Sequence, residues 1–189
     1  MSNRNKYPLD GYCLWLVPSG TQAAALQSLV NDLAPLVDAP EFVPHITLCA
    51  PKGPARDSSA LLLAAVEEAL AAEDPAQRGP MTLTLNKPQG GTFYYQCVLA
   101  PVDQSAGDAA RLLSLQKATN ENAKNTRKEN FFPHLSLIYG DLDADKKAEM
   151  AEEAAKRGSF PEKIVVEEAV LVDVNGTAEE WKIVKRIKL

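Results

Sequence analysis

The chain is short of the side chains most often used for polar chemistry near neutral pH. Its 189 residues include two histidines and three cysteines. Cys13, Cys49 and Cys97 sit singly inside apolar runs, with no C-x-x-C pair. An odd, scattered set offers no disulfide framework and reads as reduced core thiols of a cytosolic protein. Two histidines without paired cysteines supply a zinc site poorly, so neither a metal nor another cofactor is expected. Long apolar runs are missing too. The most apolar stretch, 61–72, makes about three helical turns and carries Glu67 and Glu68, whereas a membrane span needs roughly 20 apolar residues. The run 12–17 is too short for the core of a signal peptide. The expectation is a cytoplasmic protein with no membrane contact. Basic residues form no block: 20 Lys and Arg stand against 25 Asp and Glu, a net charge of −5. A binder of long nucleic acid needs a basic stripe to displace counterions, so that class is excluded. A small phosphate ligand stays allowed, because a pocket needs only local positive charge.

What is present is ordinary globular material. The hydrophobic fraction is 46% and the charged fraction 24%, enough for a core and too apolar for a disordered chain. The length suggests one domain. Apolar spacing predicts strands at 12–17, 42–50, 81–87, 92–100, 131–139, 164–174 and 180–187. It predicts helices at 21–37, 58–73, 104–123 and 143–157, with Asp57 and Asp143 as N-caps. Gln89-Gly90-Gly91 reads as a turn, and Asn175-Gly176 as a hairpin signal. In order this is strand–helix–strand–helix–strand, twice, plus a final strand. The order reads as an internal structural duplication within a single domain over 1–189, its two halves sharing an interface because no Pro/Gly/Ser linker separates them.

Both histidines fall in matched motifs. One is Pro44-His45-Ile46-Thr47-Leu48, the other Pro133-His134-Leu135-Ser136-Leu137. From composition alone, two prolines before and two hydroxyls after have a joint chance of about 4 in 100,000. Each motif falls on the second strand of its half. Side chains alternate along a strand, so His45 and Thr47 share one face while Pro44, Ile46 and Leu48 take the other. His134 and Ser136 do the same against Pro133, Leu135 and Leu137. If the halves are related by a pseudo-twofold axis, two imidazoles and two hydroxyls meet across a cleft. That set suits a tetrahedral phosphate. The hydroxyls donate to its oxygens, one histidine takes a proton from water, and the other gives one to the leaving oxygen.

The repeated P-H-hydrophobic-[S/T] motif resembles the two-histidine phosphoesterase superfamily. Four stretches narrow the resemblance to the cyclic nucleotide phosphodiesterases of the plant and yeast type: 12–18 (YCLWLVP), 42–47 (FVPHIT), 91–98 (GTFYYQCV) and 133–140 (PHLSLIYG). The resemblance implies a bilobal α+β fold, two interleaved, pseudo-twofold-related lobes of antiparallel sheet with outer helices around a central cleft. It implies metal-independent hydrolysis of ADP-ribose 1″,2″-cyclic phosphate, or of nucleoside 2′,3′-cyclic phosphates to 2′-phosphates, as in the metabolism of tRNA-splicing by-products. By the same resemblance His134 activates water and His45 protonates the leaving oxygen. Thr47 and Ser136 bind the phosphate, and Tyr139 is the tyrosine that follows the second motif. Trp15 and Tyr95 match aromatic positions of the nucleoside pocket. The partner is a small nucleotide, and a monomer is expected. By alternation Tyr139 shares parity with Leu135 and Leu137, so it reaches the cleft only if the strand bends or ends near Ile138. The alternatives are an RNA-end 2′,3′-cyclic phosphodiesterase or 2′-5′ ligase-like enzyme, which the acidic charge disfavours, and a non-catalytic phosphate-binding module.

Other patterns read as structure. Asp141, Asp143, Asp145 and Glu152 imitate a calcium loop, but Lys146 stands where the loop needs glycine, and a capped acidic helix start explains them. Asn175-Gly176-Thr177 is a glycosylation sequon that a hairpin accounts for. Gly90-Gly91 belongs to no phosphate-binding loop motif. Arg127 and Lys128 precede the second motif and read as solvated loop charges with the option of attracting a substrate diphosphate.

Overall fold

A computed structural model describes residues 3, 6–127, 130–158 and 160–189. Eight strands and four α-helices alternate along it: β1 (Tyr12–Pro18), α1 (Gly20–Leu33), β2 (Ile46–Cys49), α2 (Ser59–Ala71), β3 (Met81–Thr84), β4 (Gln89–Gly90), β5 (Val98–Pro101), α3 (Ala109–Asn122), β6 (His134–Ile138), α4 (Ala144–Lys156), β7 (Lys163–Asp173) and β8 (Lys182–Lys188). The strands form one sheet in the order β3-β7-β1-β2-β6-β5-β4, with β8 added on β7. Every strand pair among the described residues is antiparallel.

The two halves meet at the β2–β6 pair, joined through Ile46 and Leu135. The duplication is visible in detail there. On one side β1 pairs with β2 through a bulge that skips Leu48; on the other β5 pairs with β6 through a bulge that skips Leu137. Leu48 and Leu137 each lie three residues past a histidine. A bulge bends its strand and re-aims the side chains beside it, so both motifs are redirected by the same device. The lobes interlock: α1 packs against β6 and α3 against β2. Segment 81–90 ties the sheet's ends. Its first part pairs with β7, Leu85 bridges Val102, and Gln89–Gly90 pairs with β5. The antiparallel sheet is thereby curled.

Alternation sets the two faces. Leu14, Leu16, Ile46, Leu48, Leu135 and Leu137 are 0–1% exposed and pack with the helices. Each such side chain contributes about 1.5–3 kcal/mol by leaving water. Cys13, Trp15 and Val17 pack with Val170, Val172 and Val174 in a separate cluster. His45, Thr47, His134 and Ser136 belong to the face opposite the helices, which is open to the cleft.

Several local expectations are corrected. The strand expected at 42–50 starts only at Ile46. Pro44 lacks an N–H for a ladder, and Phe42 instead stacks on Tyr139 with ring centroids 3.8 Å apart. The strand expected at 92–100 is a 3₁₀ turn at Tyr94–Gln96 followed by β5, while the expected turn at 89–91 contributes β4. Gly91 permits this, because a Cβ there would collide with the Gln96 carbonyl oxygen. The cap of α2 is Ser58, whose hydroxyl accepts from the Leu61 amide at 3.3 Å, rather than Asp57. Asp143 does cap α4, accepting from the Lys146 amide at 2.8 Å. The segment after Asn175-Gly176 is longer than a two-residue hairpin, with β8 starting at Lys182. None of the described helices is long and apolar enough to cross a membrane.

Candidate active site

The register of β2 on β6 decides the site. With Ile46 opposite Leu135 in an antiparallel pair, the ladder continued by one residue puts His45 across from Ser136 and Thr47 across from His134. Directly opposed side chains share a face, with Cβ atoms about 5 Å apart. Each histidine thus faces the hydroxyl of the other half. These four side chains, with Trp15, Tyr95 and Tyr139, line one cavity of about 550 Å³. Among its described lining residues there is no aspartate or glutamate, and the one cationic residue is Arg127. In a chain of net charge −5, such a lining suits an anion. Lys128 lies outside the described residues.

The two imidazoles are held alike. Nδ1 of His45 lies 2.6 Å from the Val43 carbonyl oxygen, and Nδ1 of His134 lies 2.7 Å from the Phe132 carbonyl oxygen. A carbonyl only accepts, so each Nδ1 carries the proton. In the neutral ring, Nε2 is then left as a lone pair for the cleft. The surroundings differ. His45 is 3% exposed and lies flat on Trp15, with ring centroids 3.6 Å apart and planes at 8°. Trp15 is opposite Thr47 in the β1–β2 ladder, while Leu99 holds the matching place opposite Ser136. His134 is only half-buried, beside the exposed Phe132. Burial pushes His45 down to about 3, partly offset by the Val43 hydrogen bond, with the His134 charge lowering it further. Burial also lowers His134, against its hydrogen bond to Phe132.

Tyr139 is 2% exposed, one residue past the end of β6, and its hydroxyl lies 3.4 Å from His45 Nε2. The strand end frees it from the parity that would point it at the helices. Burial, opposed by a hydrogen bond with Ser136, holds its phenol above the ordinary tyrosine range, so it keeps its proton. Ser136 Oγ donates to the Tyr95 carbonyl oxygen at 3.4 Å. Tyr95 sits on the 3₁₀ turn and donates its hydroxyl to the Tyr7 carbonyl oxygen.

The sequence reading missed several walls of this cavity. Trp181 stands 5.7 Å from Trp15, 5.6 Å from Tyr95 and 6.1 Å from Tyr139. A tryptophan isolated in the charged run Glu179-Glu180-Trp181-Lys182 was a usable signal. Gln116, Asn120 and Asn125 also line it; polar residues near a helix end gave no such signal. Among the described residues, no group of three or more His, Cys, Asp or Glu side chains is placed to hold a metal ion.

Known proteins share this fold. A crystal structure of Escherichia coli LigT complexed with 3′-AMP aligns over 97% of this chain and 99% of that one, at 14% identity and a TM-score of 0.58. A crystal structure described as a phosphoesterase aligns over the same shares at 16% identity and a TM-score of 0.58. At these identities the likeness is one of fold. In sequence, a cyclic phosphodiesterase of Arabidopsis thaliana is 25% identical over 150 residues, 77% of this chain and 74% of that protein. The family described as cyclic phosphodiesterase-like protein (CPDase) matches residues 10–189. That match runs through both histidine strands and every strand and helix described above, and so the chain belongs to the cyclic phosphodiesterase-like family of two-histidine phosphoesterases.

Proposed function

We propose that this chain is a cyclic phosphodiesterase that needs no metal ion and acts on small nucleotides. It converts ADP-ribose 1″,2″-cyclic phosphate to ADP-ribose 1″-phosphate, and nucleoside 2′,3′-cyclic phosphates to 2′-phosphates. The observation that carries this reading is the common tether of the two imidazoles, which turns both Nε2 atoms toward one cleft beside Thr47 and Ser136. In hydrolysis of a 2′,3′-cyclic phosphate the oxygen of water attacks phosphorus and the bond from phosphorus to O3′ breaks. One Nε2 takes the proton lost by water, and the other, as imidazolium, gives its proton to O3′. Exposure supports a division of labour. His134, half-buried, meets water and acts as base; His45, enclosed by Trp15 and Tyr139, acts as acid. A bound phosphodiester anion raises both imidazole pKa values and so favours the charged donor. Thr47 and Ser136 donate to the non-bridging oxygens. One chain supplies all seven side chains, consistent with a monomer, and a single cationic residue among the described walls fits a small nucleotide better than an RNA end.

Phosphorus NMR of 2′,3′-cyclic AMP with the purified protein in EDTA tests this directly. The expected product is the 2′-phosphate. His45→Ala and His134→Ala should each lower kcat by at least about 10²-fold, and the double variant should be little worse than the poorer single one. Near-wild-type turnover in either folded single variant would remove that histidine from the reaction.

A further inference from the structure

Two residues beyond Thr47, the cavity is walled by side-chain amides. Gln116 and Asn120 stand one turn apart on α3, Asn125 follows in the loop toward β6, and all three line the cavity with Arg127. Hydrogen bonds fix which way the two asparagine amides point. The chain of reasoning starts at two groups that can only donate: the backbone amides of Lys52 and Arg127 meet Asn125 Oδ1 at 2.9 and 3.0 Å. Asn125 Nδ2 is therefore the donor to Asn120 Oδ1, at 2.8 Å. The Cys49 thiol donates to the same oxygen at 3.0 Å. Burial, opposed by the Arg127 charge, raises that thiol to about 12, so it keeps its proton at neutral pH. With two donors on Oδ1, that oxygen's acceptor capacity is filled, and Asn120 Nδ2 is turned away from the network with both N–H bonds available. Among the described residues no protein acceptor meets them. The last carbonyls of α3 are occupied as well: Thr119, Glu121 and Asn120 accept from the amides of Ala123, Lys124 and Asn125. The loop itself is pinned, because the Thr126 amide and hydroxyl both meet the Lys52 carbonyl oxygen, at 3.2 and 3.3 Å.

This wall therefore presents donors. We propose that it is a second anion subsite, where Asn120, with Gln116 and Arg127, donates to a phosphate group of the substrate other than the cyclic one held between the histidines. The subsite rests on the reading that the histidine end holds a cyclic phosphate, and it adds a preference for nucleotides carrying a further phosphate or diphosphate. Charge-assisted bonds from a guanidinium and two amides suit phosphate oxygens better than a single base carbonyl. Buried Cys49 thereby gains a role that is not nucleophilic: its S–H helps to lock the Asn120 amide.

Asn120→Asp is the discriminating variant. It keeps Oδ1 for Cys49 and Asn125 and turns the free donor into a charged acceptor. Calorimetric titration with adenosine 2′-phosphate and adenosine 2′,5′-bisphosphate reads affinity without turnover. The wild type should bind the bisphosphate tighter by about tenfold or more, and Asn120→Asp should erase that ratio. Gln116→Leu should reduce it, and it carries the test if Asn120→Asp does not fold. Equal affinities in the wild type, or an unchanged ratio in the folded variants, overturn the subsite. An equal loss for both nucleotides means that the amide reads the nucleoside, and overturns it too. If the bisphosphate preference holds while 2′,3′-cyclic AMP is not hydrolysed, the hydrolysis reading fails and the subsite stands. The opposite pair of results fails the subsite alone.

Discussion

Replacing Trp15 with leucine should move the proton-donating limb of the reaction. The indole lies parallel to the His45 ring at 3.6 Å, and burial pushes that imidazole down to about 3. A neutral ring cannot donate at Nε2, so any group that stabilises the imidazolium sustains the rate. The face of an indole attracts a cation by about 2 kcal/mol when the pair is desolvated. At 1.36 kcal/mol per unit, losing it lowers the His45 pKa by about 1.5 units. Leucine supplies aliphatic area without that attraction. The sign follows from the role. A group that must be protonated sets the descending, alkaline limb of the kcat profile, and a lower pKa moves that limb to lower pH. On the alkaline side kcat should fall by about 10- to 30-fold, and it should recover on acidification. The other titratable groups facing His45 are Tyr139 at 3.4 Å and His134; neither is altered in the variant. The assay is kcat on 2′,3′-cyclic AMP across pH, paired with nitrogen NMR of the imidazoles. Two histidines give two sets of signals, so the His45 titration is separable. Trp15→Phe should fall between wild type and leucine. A Trp15→Leu protein that is folded by circular dichroism, yet shows neither limb nor titration displaced downward, would refute the reasoning.

Other outcomes are as specific. Thr47→Val and Ser136→Ala each remove a donor to a charged oxygen, worth about 1.5–3 kcal/mol, and should lower kcat/KM by about 10- to 100-fold with little change in the pH profile; unchanged kinetics in both would disprove the phosphate cradle. Below about pH 6.5 the unfolded chain protonates at His45 while the folded one resists, so stability should fall with acidification, by roughly 3 kcal/mol near pH 4.5 from this residue. Denaturant melts of the wild type and His45→Gln should show a flatter pH dependence in the variant, and equal slopes would contradict the burial argument. Turnover should survive exhaustive chelation; loss in EDTA with rescue by zinc or manganese would overturn the two-histidine mechanism.

The sequence alone carried the local half of this site. The period of two places His45 with Thr47 and His134 with Ser136, and it backs each pair with leucines or isoleucine that must be buried. The repetition of one motif in each half signalled the duplication. Such signals are local, because face and burial follow from neighbours along the chain. Tertiary structure decided the rest. Which residue of β2 lies opposite which residue of β6 is a matter of register, and the Ile46–Leu135 pairing puts each histidine across from the other half's hydroxyl. The 3₁₀ turn at Tyr94–Gln96 overrode a strong β-forming run, because Gly91 allows the chain to close on Gln96. Trp181 reaches Trp15 only because β8 adds to β7 and brings a distant segment to the cleft. The stacking of Trp15 on His45, the course of Tyr139 past its strand end, and the orientation of Asn120 all depend on contacts between residues far apart in the chain. Alternation along one strand says which way a side chain faces; only the packing of strands and loops against one another says what it meets there.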